Sequence, residues 1–281
     1  MIRKLSDLSS KILTTSWLGL GRKPPARLPD LRQIQDFRSR FLPDSRTVIV
    51  YLPPGYDANP ERRYPVLYLQ DGQNLFDSNT AFGGTEWRVD ETADRLISQN
   101  RIEPLIIVVI YNTGEHRLDE YTPTRDPKLG GGAAPRYGRM LLEELIPLIN
   151  VRYRTLRGPQ NTGLGGSSLG GLVSLYLGMT YAGVFGKLAV LSPSVWWDNR
   201  AILQIIASLF RKPDLRIWLD MGTSEGGMSL QDSEKLRDVL AAKGWVLGKD
   251  LYYFEAEGAT HNEAAWAGRV EPFLRYLFPV R

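Results

Sequence analysis

A serine flanked by glycines is the feature of this sequence best suited to chemistry. Ser168 lies in Gly165-Gly-Ser-Ser-Leu-Gly-Gly171, which contains the pattern Gly166-x-Ser168-x-Gly170. This pattern is typical of a sharp strand-to-helix turn that exposes a nucleophilic hydroxyl. Glycines are expected two positions away on either side because side chains there would collide with the backbone of the turn, and because glycine tolerates unusual dihedral angles. The alternative is a glycine-rich turn whose serine only caps the next helix.

A serine hydroxyl is a weak nucleophile, so it needs a base within hydrogen-bonding reach and a carboxylate that orients this base. The chain contains two histidines, His116 before Ser168 and His261 after it. Only His261 agrees with the order nucleophile, acid, histidine that α/β-hydrolases use. We therefore predict that His261 is the base; the alternative is a polar cap of the final helix.

The orienting acid is expected on the loop after the penultimate predicted strand, where Glu225 supplies a carboxylate. Asp220 is a rival, but it lies near the end of that strand and could instead accept structural hydrogen bonds. Asp198, on the preceding loop, is a third candidate. We prefer Glu225.

Two backbone N–H groups are needed to stabilise the oxyanion that forms when a serine attacks an ester. Leu169, directly after Ser168, should supply one of them. We predict that Gln73 supplies the other, because its loop follows an apolar strand and Gly72 leaves room for the backbone to approach. The alternative for this loop is an ordinary Asp-Gly turn.

These residues require a scaffold that gathers them, and the sequence predicts an α/β fold. Short apolar strands alternate with helices from residue 66 onward, which indicates a mostly parallel central sheet with helices on both faces. Reactive groups then collect at the carboxyl ends of the strands.

A hairpin of residues 34–41 and 47–52 precedes the predicted strands 66–70, 105–111, 161–164, 187–191, 215–221 and 251–256. Helices are predicted for residues 88–99, 137–150, 169–177, 199–210, 229–243 and 263–277. We expect Pro147 to bend the last turn of helix 137–150, and residues 112–136 to form a long functional loop.

Composition limits the partners. Residues 1–40 hold nine Lys/Arg against three Asp/Glu, so this segment carries six of the excess positive charges and the remainder carries about two negative ones, for a total of +4. The body of the protein is therefore not expected to bind nucleic acid. The chain has no cysteine, its two histidines are far apart, and no phosphate-binding loop is present, so we expect neither a metal nor another cofactor.

The domain organisation follows from the same patterns. Residues 1–30 are predicted to be an N-terminal arm, poorly ordered or draped over the surface, and residues 31–281 a single α/β-hydrolase domain. No apolar run approaches 18 residues, so no membrane span is expected. Asp7 and several Ser/Thr residues interrupt the N-terminal apolar residues. We therefore expect no signal peptide and a cytoplasmic location, with secretion and the oligomeric state left open.

Several stretches together resemble the esterase family of the α/β-hydrolase superfamily, which contains feruloyl esterases, ferric-siderophore esterases, S-formylglutathione hydrolases and mycolyltransferases. The resemblance covers roughly residues 35–280. It implies Ser168 as nucleophile, His261 as base and Glu225 at a position where relatives carry Asp or Glu. The stretches are the glycine-rich segment around Ser168, Val66-Leu-Tyr-Leu-Gln-Asp-Gly-Gln-Asn-Leu-Phe-Asp77, Ser192-Pro-Ser-Val-Trp-Trp197, Gly222-Thr-Ser-Glu225 and His261-Asn-Glu-Ala-Ala-Trp266.

Four further residues are predicted to bind substrate. Trp87, Trp196 and Trp197 are interpreted as walls of a pocket for an aromatic or sugar-like ester, with core packing as the alternative. Arg117 lies in a segment that resembles an Arg-x-x-Glu-Tyr stretch common in the family. It is expected either to clamp its own loop by pairing with Glu120 or to contact the substrate directly.

The sequence thus favours a serine carboxylesterase with a small-molecule ester substrate, which could be an aromatic, sugar or siderophore-type ester. An acyltransferase would use the same residues, and product analysis with an added acceptor separates the two activities. A non-catalytic binding protein is the third hypothesis. Labelling of Ser168 by a fluorophosphonate probe would count against it.

Overall fold

The strands of this protein are short apolar segments that form one large sheet. The computed structural model describes residues 29–280, so most of the predicted N-terminal arm, residues 1–28, lies outside the described residues. The sheet has eight strands in the order β1-β2-β4-β3-β7-β8-β9-β10, and β5 and β6 form a separate two-stranded ribbon. The strands are β1 (Asp30–Phe37), β2 (Arg46–Leu52), β3 (Val66–Gln70), β4 (Ile106–Ile110), β5 (Arg125–Asp126), β6 (Gly130–Gly131), β7 (Thr162–Ser167), β8 (Lys187–Leu191), β9 (Arg216–Gly222) and β10 (Leu251–Ala256).

The sheet is mostly parallel, as predicted. Strand β3 is parallel to both β4 and β7, and the parallel pairing continues through β8, β9 and β10. Strands β1 and β2 form the predicted antiparallel hairpin, and β2 is also antiparallel to β4. The hairpin therefore extends one edge of the parallel sheet.

Helices connect the strands and cover the sheet. They are α1 (Val89–Ser98), α2 (Arg117–Glu120), α3 (Ala134–Met140), α4 (Ile146–Arg152), α5 (Leu169–Thr180), α6 (Trp197–Ala207), α7 (Ser229–Lys243), α8 (Glu263–Ala267) and α9 (Val270–Leu277). None of the helices within residues 29–280 combines the length and the apolar character that crossing a membrane would require.

Both faces of the sheet are buried, which explains the near-continuous apolar runs of the central strands. Successive residues of β3 face opposite sides, so Tyr68 packs in one core cluster and Leu67 and Leu69 in the other. Helices α3 and α5 cover the first cluster, and α1 and α9 cover the second. The predicted α/β fold with helices on both faces is confirmed.

Three local predictions need correction. Pro147 is the second residue of α4 and follows a π-helical turn at Leu141–Leu145, so the irregularity lies before Pro147 and not in the last turn of the helical stretch. The physical reason is that proline has no N–H to bond the preceding turn. The segment 112–136 is not a plain loop, because it contains α2 and the β5–β6 ribbon. The predicted helix 263–277 is divided into α8 and α9 around Gly268 and Arg269.

A buried ion pair fixes α2 to the sheet. Arg46 at the start of β2 donates from Nη1 to Glu120 Oε2 over 2.7 Å and from Nη2 to Oε1 over 2.8 Å. Their side chains are 0% and 2% exposed, respectively. Since α2 also carries Arg117, this pair helps to position one wall of the site described below.

We predict that Glu120→Ala destabilises the protein strongly, because it leaves the buried Arg46 cation without its partner. The free energy of unfolding should fall by about 3–5 kcal/mol, measured by urea denaturation. Glu143→Ala is the matched control, since Glu143 pairs with Arg139 at the surface and its loss should change the unfolding free energy little. Equal losses in the two variants would contradict this description of the pair.

Candidate active site

Ser168 occupies a strained turn between β7 and α5. Its dihedral angles are φ 57° and ψ −123°, which residues with a side chain rarely adopt. A Cβ atom at Gly166 would lie 2.9 Å from the Cβ of Gln70, and one at Gly170 would lie 3.0 Å from Asp71 Oδ2. The expected collision with the backbone of the turn is present at Gly166, where a Cβ would also lie 3.0 Å from the backbone carbon of Gly170. At Gly170 the close contacts are instead with the side chains of Asp71 and Gln70. The expectation of unusual glycine dihedrals is wrong, because the positive φ belongs to Ser168 itself.

The structure brings Ser168, His261 and Glu225 into one row. His261 Nε2 lies 3.0 Å from Ser168 Oγ, and His261 Nδ1 lies 2.7 Å from Glu225 Oε2. The three residues follow β7, β10 and β9, respectively, and these strands are parallel. The carboxyl ends of parallel strands meet at one edge of the sheet, which is why residues far apart in sequence lie together. The other histidine, His116, contacts Asp44 on the surface instead.

The rival acids occupy other positions. Asp220 is a buried residue of β9 that accepts hydrogen bonds from Trp218 Nε1 at 2.7 Å and from Arg269 Nη1 at 2.6 Å. Asp198 lies in the first turn of α6. Among the described residues, the carboxylate hydrogen-bonded to His261 is that of Glu225.

Glu225 is held in its ionised form. Burial opposes its charge, but hydrogen bonds from His261, from the Ser192 hydroxyl and from the Gly222 N–H outweigh this effect and lower the pKa of Glu225 below its usual value. Because the ionised Glu225 carboxylate is hydrogen-bonded to His261 Nδ1, it fixes the orientation of the imidazole ring and directs Nε2 towards Ser168.

The two predicted oxyanion donors lie near Ser168. Gln73 is the middle residue of a short 3₁₀ turn after β3, and Leu169 is the first residue of α5. No acceptor within residues 29–280 receives the N–H of either residue. Gly72 packs closely against β4, because a Cβ there would lie 2.8 Å from the backbone nitrogen of Ile110. The predicted approach of this loop backbone to an ester oxygen stays a prediction. The role of these two N–H groups as oxyanion donors stays a prediction.

A cavity of about 650 Å³ opens next to Ser168. Both aromatic and polar side chains line it. Its lining includes Gln73, Phe82, Asn112, Arg117, Ser168, His261, Glu263 and Trp266. A cavity of this size and mixed lining suits a small polar ligand that also carries an apolar or aromatic part.

The predicted tryptophan walls are not the observed ones. Trp87 is 2% exposed and packs behind the cavity with its ring centroid 5.9 Å from that of Trp266, and Trp197 is 1% exposed and donates from Nε1 to Thr124 O. Trp196 is half exposed but lines a separate, smaller cavity beside Met228. The prediction is therefore wrong for Trp87 and Trp197, which are core residues, and Trp196 does not line the cavity beside Ser168.

Phe82 and Trp266 form the aromatic walls instead. Phe82 is largely exposed at the rim, on a short turn with Gly83 and Gly84. Trp266 packs edge-on against the His261 ring, with centroids 4.8 Å apart and an interplanar angle of 83°. Trp266 follows His261 by five residues in the motif that signalled the family, and this proximity was a usable signal.

Arg117 lines the cavity, but it does not clamp its own loop through Glu120. Its Nε and Nη2 atoms donate to the two oxygens of Asp71, each over 2.7 Å, while Glu120 binds Arg46. Burial disfavours the Arg117 charge, but Asp71 outweighs burial and raises the pKa of Arg117. The expected Arg117–Glu120 pair is therefore wrong, because each side chain has a better-placed partner outside α2. Contact between Arg117 and substrate stays a prediction.

Glu263 is a cavity residue that the sequence reasoning missed. Its carboxylate accepts hydrogen bonds from Trp87 Nε1 and from Asn74 Nδ2, and so joins the His261 loop to the Gln73 loop. Burial raises the pKa of Glu263 to about 7. Its place two residues after His261 was visible in the sequence, but its partners, 176 and 189 residues away, were not.

Comparison with known proteins assigns the family. Residues 39–276 match the model of the esterase family, described as "Putative esterase". The chain belongs to this esterase family. The chain is accordingly a carboxylic ester hydrolase, in agreement with the resemblance found in the sequence.

Individual relatives agree with this assignment. An endo-1,4-beta-xylanase/feruloyl esterase of Xylanibacter ruminicola is 30% identical over 248 residues, which cover 83% of this chain and 29% of that protein. The uncharacterized protein YbbA of Bacillus subtilis is 29% identical over 83% of this chain and 93% of its own. The crystal structure of the enterobactin esterase FES from Shigella flexneri superposes with a TM-score of 0.73 and 22% identity, covering 91% of this chain and 60% of that one. These likenesses confirm a fold of the α/β-hydrolase type.

We predict that Glu263 makes stability depend on pH. Its pKa is about 7 in the folded protein against an ordinary 4.5, so its contribution to stability is complete below pH 4.5 and is lost as the pH rises through about 7. The unfolding free energy of the wild type, minus that of Glu263→Gln, should therefore decrease over this range in urea titrations. Glu255→Gln, at an exposed carboxylate of β10, controls for the loss of one charge. A difference that stays constant with pH would refute the prediction.

Proposed function

We propose that this esterase hydrolyses small carboxylic esters through an acyl-enzyme formed on Ser168. The observation that carries the proposal is the unbroken row of hydrogen bonds, 3.0 Å from Ser168 to His261 and 2.7 Å from His261 to Glu225. Such a row is the arrangement that activates a serine hydroxyl at neutral pH. The row borders a cavity that could hold the ester.

In the first half-reaction, Ser168 Oγ attacks the ester carbonyl carbon while His261 Nε2 takes the hydroxyl proton. Glu225 Oε2 accepts a hydrogen bond from the Nδ1–H of His261, which keeps its proton, and stabilises the imidazolium that forms. Collapse of the tetrahedral intermediate breaks the bond to the alcohol, which leaves with the proton from Nε2. The acyl group remains on Ser168 as an ester.

The negative charge that develops on the carbonyl oxygen needs fixed donors. The N–H groups of Gln73 and Leu169 are proposed to supply them. Leu169 directly follows Ser168, and Gln73 lines the same cavity as Ser168. Neither N–H group has an acceptor among the described residues. Donors that are already oriented stabilise the intermediate without reorganisation, and loss of one such donor typically costs about 10²–10³ in kcat.

In the second half-reaction, water replaces the alcohol. His261 Nε2 takes a proton from this water as it attacks the acyl carbonyl, and then returns the proton to Ser168 Oγ as the acid leaves. The cavity has an open side that water can enter, because the His261 side chain remains 41% exposed. Hydrolysis therefore needs no group beyond those already named.

The cavity lining supports a small aromatic, sugar or siderophore-type ester as substrate. Phe82 and Trp266 offer apolar rings, while Gln73, Asn112 and Arg117 offer polar groups for hydroxyl or carbonyl oxygens. The names of the relatives, a feruloyl esterase and an enterobactin esterase, support the same range.

We predict that Ser168→Ala lowers kcat for p-nitrophenyl acetate by several orders of magnitude, roughly the 10⁶-fold loss seen when a nucleophilic serine is removed from such a row. The reason is that the variant lacks the hydroxyl that is hydrogen-bonded to His261 Nε2. Ser224→Ala is the matched control, because Ser224 is an exposed serine next to Glu225 and should retain wild-type turnover. Wild-type turnover in the Ser168 variant would refute the proposed function.

A further inference from the structure

Behind Glu225 lies a buried charged cluster that the reaction steps do not use. We define the support cluster as Ser192, Asp220, Glu225 and Arg269. The side chains of Asp220, Glu225 and Arg269 are 0%, 1% and 3% exposed. Burial of three charges costs desolvation free energy, which only close pairing between them can offset.

The two oxygens of Glu225 have different surroundings. Oε1 accepts hydrogen bonds from the Gly222 N–H at 2.8 Å and from the Ser192 hydroxyl at 2.5 Å, and Arg269 Nη2 lies 3.4 Å away. Oε2 faces His261 Nδ1 at 2.7 Å. One oxygen is therefore fixed by the support cluster, and the other is left to His261.

Arg269 is held closer to Asp220 than to Glu225. Its Nη1 atom donates to Asp220 Oδ1 at 2.6 Å and to Ser192 Oγ at 2.8 Å. Both distances are shorter than the 3.4 Å from Nη2 to Glu225 Oε1. Asp220 is fixed in turn by Trp218 Nε1 and by the Ser192 N–H. The geometry thus keeps the cation from pairing fully with the carboxylate that faces His261.

The charges of the support cluster sum to one negative charge, from two carboxylates and one guanidinium. Adding a proton to His261 makes the whole group neutral. Because the cluster is buried, its net charge acts on the imidazole with little screening by water. On its cavity side, His261 is also near Glu263, behind which lie Asp71 and Arg117.

We propose that Asp220 and Arg269 are positioning residues for His261. Asp220 holds Arg269 away from Glu225, so that Glu225 presents its full negative charge to the imidazolium. Their importance for turnover rests on the proposed function, but their effect on the protonation of His261 does not.

The consequences of neutralising each charge differ in sign. Without the Asp220 charge, the nearest anion for Arg269 is Glu225, the cluster becomes neutral, and protonated His261 is less stable. Removing Arg269 as well restores one net negative charge and should restore the pKa of His261. Burial outweighs Arg269 and raises the pKa of Asp220 to about 6, so Asp220 is ionised at neutral pH and its charge is available to act in this way.

The pKa of His261 can be measured directly, because the chain has only two histidines. The imidazole C–H resonances of the full-length protein would be titrated by NMR in the wild type, Asp220→Asn, Arg269→Met and the double variant, with His116→Gln to assign the signals. We expect Asp220→Asn to lower the pKa of His261 by roughly one unit, at the lower end of the shifts caused by a neighbouring charge. The double variant should return it to near the wild-type value.

Two internal controls separate charge from shape. His116 pairs with Asp44 on the surface, so its resonance should titrate identically in all variants. Arg269→Lys keeps the positive charge and should leave the pKa of His261 near its wild-type value. The acid limb of kcat/KM for p-nitrophenyl acetate should move to lower pH in Asp220→Asn and return in the double variant.

An unchanged His261 pKa in Asp220→Asn, or a further fall in the double variant, would overturn the proposal. If variants of Arg269 fail to fold by circular dichroism, Asp220→Asn decides alone, because asparagine has nearly the same shape as aspartate. If Ser168→Ala kept its activity, the proposed function would fail while the NMR titration would still test the role of Asp220 and Arg269.

Discussion

The site depends on a single hydrogen bond, the 3.0 Å contact between His261 Nε2 and Ser168 Oγ. It joins two loops that are 93 residues apart in sequence. The parallel strands β7, β8, β9 and β10 bring them together by ending at one edge of the sheet. The side chains of the site lie on the loops that follow these strands, and the rigid sheet fixes the positions of those loops.

The fold maintains a strained serine at this position. A positive φ at a residue with a side chain costs of order 1–3 kcal/mol, so Ser168 keeps φ 57° only because its surroundings permit no other arrangement. The backbone of β7 is packed between neighbouring strands: a Cβ at Gly165 would lie 2.6 Å from the Cβ of Ala189. Because β7 has glycines before Ser168, its backbone packs directly against the adjacent strand. The turn is held in place by this packing, and the Ser168 hydroxyl points towards His261.

The sequence predicted the sheet and the central row better than the walls of the cavity. Ser168, His261 and Glu225 were found from a local motif and from chain order, and the strands from apolar runs that burial on both faces requires. Trp87 and Trp197 were misplaced because a tryptophan suits a core and a pocket equally, and only tertiary packing decides between them. Local spacing favoured an Arg117–Glu120 pair, but Arg46, which is 74 residues from Glu120, competes successfully. The support cluster was invisible for the same reason, since Arg269 meets Asp220 across 49 residues.

Mass spectrometry of the protein after reaction with a fluorophosphonate is the most direct test of the central claim that Ser168 is the activated nucleophile. We expect one adduct per chain, located on Ser168 by peptide mapping and absent from Ser168→Ala. Ser194 is the critical comparison, because its Oγ lies 3.3 Å from Ser168 Oγ. The Ser194→Ala variant should still be labelled on Ser168. An adduct on Ser194, or labelling that persists in Ser168→Ala, would show that Ser168 is not the activated nucleophile.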